Sequence, residues 1–207
     1  MAGESRKPRL IVGISGASGA IYGVRLLRLL RPLAVETHLV ITRAAELTLA
    51  LETDLKAAEV RALADVVYAQ GDFAAAIASG SFTTLGMVVA PCSMRSMAEI
   101  ATGVTTTLLT RAADVVLKER RRLVLLVRET PLHTGHLRAL TQLSEMGAVI
   151  APPAPAFYTR PKTLDEMIDQ SLGRILDLFG LDAPWVRRWG EEEGKRERKP
   201  AKEPGAD

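Results

Sequence analysis

The chain has 207 residues, 47% hydrophobic and 25% charged, which is enough for one domain with a full core and ordinary for a soluble globular protein. Its formal charge of +3 comes from the ends: residues 1–9 carry +2 and residues 187–207 carry +1, so the body is neutral and offers no basic footprint for nucleic acid. One cysteine excludes an internal disulfide, three histidines leave little for a metal cluster, and no apolar run approaches the roughly 20 residues of a membrane span.

The polar start, residues 1–8, lacks the apolar region of a signal peptide and reads as a disordered leader, so a cytoplasmic location is expected. Residues 9–15 predict a first strand. A glycine-rich turn follows, then a helix over 20–30 with Ile21, Val24, Leu27 and Leu30 as its apolar stripe, ended near Pro32. Residues 36–42 read as a second strand, 44–51 and 57–63 as short helices, 65–68 as a short strand and 78–82 as loop. The apolar run 85–90 predicts a buried strand stopped by Pro91, and Ser93 caps a helix to about Ala101 without a capping box.

A helix is then expected from just after Gly103 to Lys118, a strand over 123–127, a helix over 132–146 and a last short strand over 148–150. Residues 152–155 form a stiff proline segment. Thr163 with Glu166 predicts a capping box opening a helix to Leu178, ended by Gly180. Residues 191–207, charged and almost without apolar side chains, read as a flexible tail. Strands alternating with helices, several of the strands apolar throughout, indicate one doubly wound parallel α/β domain over 9–190, a three-layer α/β/α arrangement.

The glycine turn is Gly13-Ile14-Ser15-Gly16-Ala17-Ser18-Gly19-Ala20. Strand, tight turn and helix start in that order point backbone N–H groups at an anion. The spacing matches neither the dinucleotide fingerprint nor the triphosphate loop, and no lysine follows. The second strand ends in Thr42 rather than in the acid expected for NAD. Hydroxyls at Ser15, Ser18 and Thr42 suit a mononucleotide or flavin phosphate; the alternative is a turn that only permits close helix packing.

A second strand-to-helix junction, Pro91-Cys92-Ser93-Met94-Arg95-Ser96, offers another set of free N–H groups. Two such junctions on one sheet are what a flavin lying across the strand ends would use. With these residues the chain resembles the flavin prenyltransferases of the UbiX/Pad type, a Rossmann-like flavoprotein fold. The resemblance spans roughly 9–189 and also rests on Ala78-Ser79-Gly80-Ser81, Ile100-Ala101-Thr102-Gly103, the run from Arg111 to Arg120, Arg128-Glu129-Thr130-Pro131, the run from Gly147 to Tyr158, and Arg188-Trp189-Gly190.

The resemblance implies transfer of a dimethylallyl group from dimethylallyl monophosphate to N5 of reduced FMN, followed by ring closure at C6. It implies a UbiD-type decarboxylase as recipient of the product, and a homo-oligomer, up to a dodecamer, with sites at subunit contacts. FMN is then expected at Gly16, Ala17, Ser18, Thr42, Ser93, Met94, Arg95, Ser96 and Arg128. The prenyl phosphate is expected at Lys118, Arg128, Tyr158, Arg174, Arg111 and Ser79. Ser18, Glu129, Lys118 and Arg128 are expected to take part in the chemistry, with no metal. Flavin-dependent cysteinyl decarboxylases share the fold, and a non-catalytic FMN-binding subunit is a further alternative. Phe73 stands where relatives carry tryptophan, which puts the electron-rich face of the site in question.

Read without the resemblance, several of these residues are ambiguous. Arg111 and Lys118 share a helix face that is equally a solvated edge. Arg128 and Glu129 follow a strand directly, where open sheets place ligands, but suit a surface ion pair as well. Cys92 reads as a small buried thiol, His133 and His136 as helix-surface histidines rather than metal ligands, and Glu99 as solvent-facing.

Overall fold

The computed structural model describes residues 7–190. The expected leader, apart from Lys7 and Pro8, and the tail over 191–207 lie outside the described residues. Six strands, β1 (Arg9–Ile14), β2 (Glu36–Ile41), β3 (Val66–Tyr68), β4 (Gly86–Cys92), β5 (Arg122–Val127) and β6 (Val149–Ile150), form one sheet in the order β3-β2-β1-β4-β5-β6. Every pairing is parallel, with Val12 opposite Leu39 on one side and Val88 on the other. The strands are apolar throughout because both faces are covered.

Leu10, Val12 and Ile14 point to one face, where α1 (Ala20–Leu30), α2 (Arg43–Glu52), α3 (Ala57–Arg61) and α7 (Leu164–Asp177) pack. Ile11, Val40, Met87 and Leu125 point to the other, under α4 (Met94–Thr102), α5 (Leu108–Lys118) and α6 (Thr134–Glu145). The three-layer α/β/α domain expected from the alternation is the fold found. Strand order reverses between β1 and β4, and open sheets of this order bind ligands outside the carboxyl ends of the strands at that reversal.

Several boundaries depart from expectation. β4 does not stop at Pro91 but runs to Cys92, with a register break between Val89 and Cys92; a bulge is where a strand accepts a residue that has no N–H to donate. α5 begins at Leu108, capped by Thr107, and α6 at Thr134, capped by His133, so residues 103–107 and 132–133 are not helical. Thr163 caps α7, but Glu166 accepts from the Lys162 N–H at 2.7 Å instead of that of Thr163, leaving half of a capping box.

Candidate active site

At the reversal point the ends of β1 and β4 are tied together by one side chain. Ser15 is fully buried; its Oγ donates to the Pro91 carbonyl at 2.8 Å and accepts from the Ser93 N–H at 2.7 Å. Its own N–H also donates to Pro91 at 3.2 Å. The hydroxyl read as a phosphate donor is therefore structural, with its donor and acceptor both engaged. The turn that follows approaches α2 closely: a Cβ on Gly16 would stand 2.4 Å from that of Ala44. Gly19 has φ of 95°, a left-handed conformation that glycine adopts without strain.

The N-terminus of α1 already has an anion. Glu52, at the end of α2, accepts from the Gly19 N–H at 2.8 Å and the Ala20 N–H at 3.1 Å. Burial raises its pKa, but the Ser18 hydroxyl, the two N–H groups and the nearby charge of Arg128 outweigh that and hold the carboxyl below its ordinary value. A phosphate at the same N–H groups would meet a carboxylate. The turn instead presents Ser18, Glu52 and Arg128 as one charged set.

Sequence reasoning missed Glu52. A signal existed: a carboxylate in the last turn of a helix opposes the dipole, so it calls for a partner elsewhere. That partner is 33 residues away and no local pattern names it.

α2 is also satisfied at its start, with Thr42 Oγ1 accepting from Ala45 at 3.1 Å and Gln70 accepting from the Arg43 N–H at 3.0 Å. α4 differs. Ser93 Oγ accepts from the Ser96 N–H at 3.3 Å, and the Ser93 carbonyl accepts from Met97. The first-turn N–H groups of Met94 and Arg95 then have no intrahelical acceptor, as at any helix start. This end of α4, with its dipole and the Ser93 hydroxyl, has the donor chemistry a phosphate monoester needs. Arg95 itself is turned outward and pairs with Glu99 at 2.8 Å. Glu99 is not solvent-facing: its side chain is 13% exposed and also accepts from Thr106.

Arg128 and Glu129 leave the end of β5 beside this set. The Arg128 N–H donates to the Cys92 carbonyl at 3.2 Å, and Glu129 accepts from the Thr130 N–H at 2.9 Å. Cys92 is fully buried and burial pushes its thiol up to about 12, so it is inert as a nucleophile.

The remaining expected residues stand apart. Tyr158 donates to the Arg187 carbonyl at 3.2 Å and packs edge-on against Trp189, 5.4 Å away. Arg174 reaches Asp177 at 3.7 Å, and Arg188 pairs with the same carboxylate through two 2.7 Å bonds. Tyr158 and Arg174 therefore share one strip with residues 187–189. On α5, Arg111 pairs with Asp114 and Lys118 with Glu119. Lys118 and Ser79 lie at the amino end of the sheet, since a Cβ on Gly80 would touch Lys118 Nζ. That end is a strand length, about 20 Å, from Arg128. Phe73 is half exposed on the loop after β3. Among the described residues no group of three His, Cys, Asp or Glu side chains is arranged for a metal ion, and no helix is long and apolar enough to cross a membrane.

The family model Flavoprotein matches residues 1–176. The flavin prenyltransferase UbiX of Escherichia coli (strain K12) is 63% identical over 177 residues, covering 85% of this chain and 94% of that protein. The crystal structure of AnUbiX (PadA1) in complex with FMN and dimethylallyl pyrophosphate matches with a TM-score of 0.88 at 51% identity, covering 89% of this chain and 98% of that one. A dodecameric FMN-dependent UbiX-like decarboxylase from Escherichia coli O157:H7 matches with a TM-score of 0.85 at 52% identity, over 87% of this chain and 98% of that one. Its parallel sheet, its two helix starts at the strand reversal and these identities together place the chain in the flavoprotein family and, within it, among the UbiX flavin prenyltransferases.

Proposed function

We propose that the protein moves a dimethylallyl group from dimethylallyl monophosphate to N5 of reduced FMN and closes a ring at C6, making a prenylated flavin for a UbiD-type decarboxylase. The observation that carries this reading is the start of α4, where unengaged first-turn N–H groups lie beside the Ser18, Glu52 and Arg128 set at the strand reversal. Reduced FMN, when bound, supplies the nucleophilic nitrogen. Ser93 and the Met94, Arg95 and Ser96 backbone would hold its phosphate, while Gly16 and Ala17 allow close approach and Thr42 lies at the adjoining strand end.

Breaking the carbon–oxygen bond of the prenyl phosphate leaves the electron pair on phosphate, so cationic and hydroxyl donors must converge there. Arg128, Arg174 and Tyr158 suit that task. Glu129, next to Arg128, is placed to hold or move a proton, with Ser18 and Glu52 as a second hydroxyl–carboxylate pair. Lys118, Arg111 and Ser79 suit the same phosphate but lie on other parts of the chain, so they serve it from a neighbouring copy. The dodecameric relative supports a homo-oligomer. The buried, unpaired Cys92 fits a reducing compartment such as the cytoplasm.

Incubation with reduced FMN and dimethylallyl monophosphate, followed by mass analysis of the flavin, tests the reading. The expected product is FMN heavier by one C5H8 unit; unmodified flavin after full incubation overturns it.

A further inference from the structure

We propose that Arg188 is a positioning residue for the prenyl-phosphate site: it fills the carboxylate of Asp177 and so keeps the guanidinium of Arg174 open to the substrate phosphate. The inference rests on the prenyl-transfer reading, which is what gives Arg174 its task. Arg188 acts through Arg174 and is not itself a catalytic residue.

Arg174 and Asp177 stand one turn apart at the end of α7, near enough on one helix face to form an ion pair. A carboxylate at that end opposes the helix dipole and calls for a cation. The same two residue types at the same spacing occur on α5, where Arg111 donates to Asp114 at 2.8 Å. Arg174 does not close in that way. Its Nε stays 3.7 Å from Asp177 Oδ2, beyond hydrogen-bond range, and its side chain is 61% exposed.

The difference lies in what Asp177 already holds. Arg188 Nη1 donates to Oδ2 and Nη2 to Oδ1, each at 2.7 Å. Such a fork of two parallel bonds engages both carboxylate oxygens and is stronger than a single contact. The hydrogen bonds from Arg188 are also the main reason the Asp177 carboxyl lies below its ordinary value; burial opposes them, and the charge of Arg174 adds the least. Asp177 is therefore ionised at neutral pH, and without Arg188 it becomes a competitor for Arg174.

The segment that carries Arg188 has anchors of its own. The Arg187 N–H donates to Gln170 Oε1 at 2.9 Å, and Gln170 Nε2 donates back to the Arg187 carbonyl at 3.0 Å. Arg187 Nη1 donates to the Thr159 carbonyl at 2.8 Å, and both Gln170 and Thr159 are buried. Loss of the Arg188 side chain leaves these bonds in place, so its main consequence is a change of partner for Asp177.

A captured Arg174 acts as an internal competitor. Substrate binds well only to the molecules in which Arg174 is open, so its apparent affinity falls with that fraction, while saturating substrate still draws Arg174 away from Asp177. The KM for dimethylallyl monophosphate therefore rises and kcat is largely kept.

The test compares the unmodified protein, Arg188→Ala, and Arg188→Ala combined with Asp177→Asn, each as the FMN complex. In Arg188→Ala the KM for dimethylallyl monophosphate should rise about threefold to sixfold, the effect of one exposed ion pair, with kcat within about twofold. The double variant has no carboxylate to capture Arg174 and should return to the unmodified KM. A crystal structure of Arg188→Ala should show Arg174 closed onto Asp177 as Arg111 is onto Asp114. An unchanged KM, a raised KM that the second substitution fails to restore, or an Arg174 still standing off from Asp177 overturns the proposal. If the unmodified protein makes no prenylated flavin, the prenyl-transfer reading has failed, and the Arg174–Asp177 distance in Arg188→Ala still decides whether Arg188 holds that pair apart.

Discussion

The hydroxyl of Ser15 faces a carbonyl and an N–H of the neighbouring strand end, and Ser15→Ala leaves the Ser93 N–H without its acceptor. A buried donor left unpaired costs about 1–3 kcal/mol, so urea unfolding of Ser15→Ala should show a loss of that size. Because the same bond sets the start of α4, FMN affinity should fall with it. Glu52→Gln tests a different bond. The amide oxygen still accepts from Gly19 and Ala20, but the charge facing Arg128 is gone. Prenyl transfer should drop about tenfold with FMN binding largely kept, the range for a charged hydrogen bond at a partly exposed site. Since the Glu52 carboxyl is held below its ordinary value, that loss should be constant from pH 6 to 8. Of these residues Ser15 was visible in the sequence but with the wrong task, and Glu52 was not visible at all. A hydroxyl looks alike in a motif whether it faces a ligand or a backbone carbonyl.

At the scale of elements, hydrophobic periodicity located the helices, and caps decided where they begin. The apolar residues Val104 and Leu132 extend the helical pattern toward the preceding loop, yet Thr107 and His133 stop it, because a cap satisfies N–H groups that a longer helix would leave to water. The end of α5 is the weakest such point. Arg120 follows it with φ of 57°, where glycine is the usual occupant. Arg120→Gly should raise stability by up to about 1 kcal/mol in chemical denaturation, the strain relieved being partly offset by a more flexible unfolded chain. A loss of stability would mean that the Arg120 side chain holds something more valuable than relaxed backbone.

At the scale of the molecule, charge sets an acid limit. Burial pushes the His38 ring below its ordinary value, its hydrogen bond to Glu36 opposing only in part. Glu36 is held low by His38, Asp65 by the Thr37 N–H, and Asp177 by Arg188. In every case the unfolded chain binds more protons than the folded one, so stability falls as pH falls. The decline should begin below about pH 6.5 as unfolded histidine takes up a proton, and steepen below about 4.5 as the carboxylates follow. Urea midpoints measured from pH 8 to 4 check this, and His38→Gln should remove the upper limb. The proposed homo-oligomer has its own test. Lys118→Ala and Arg128→Ala should each be inactive, and mixing them under conditions that exchange subunits should restore activity, because one assembled site then draws each intact residue from a different copy.

The sequence by itself determined the layers, the element order, the family and the two helix starts at the strand reversal, because apolar runs, period-3.6 patterns and glycine turns act within a few residues. Tertiary structure alone decided which groups those elements place together. It assigned the anion site of the glycine turn to Glu52, turned Ser15 inward as a tie between β1 and β4, and set Lys118 a strand length away from Arg128. Each of these depends on contacts between residues far apart in the chain, whose positions follow from sheet order and not from local spacing.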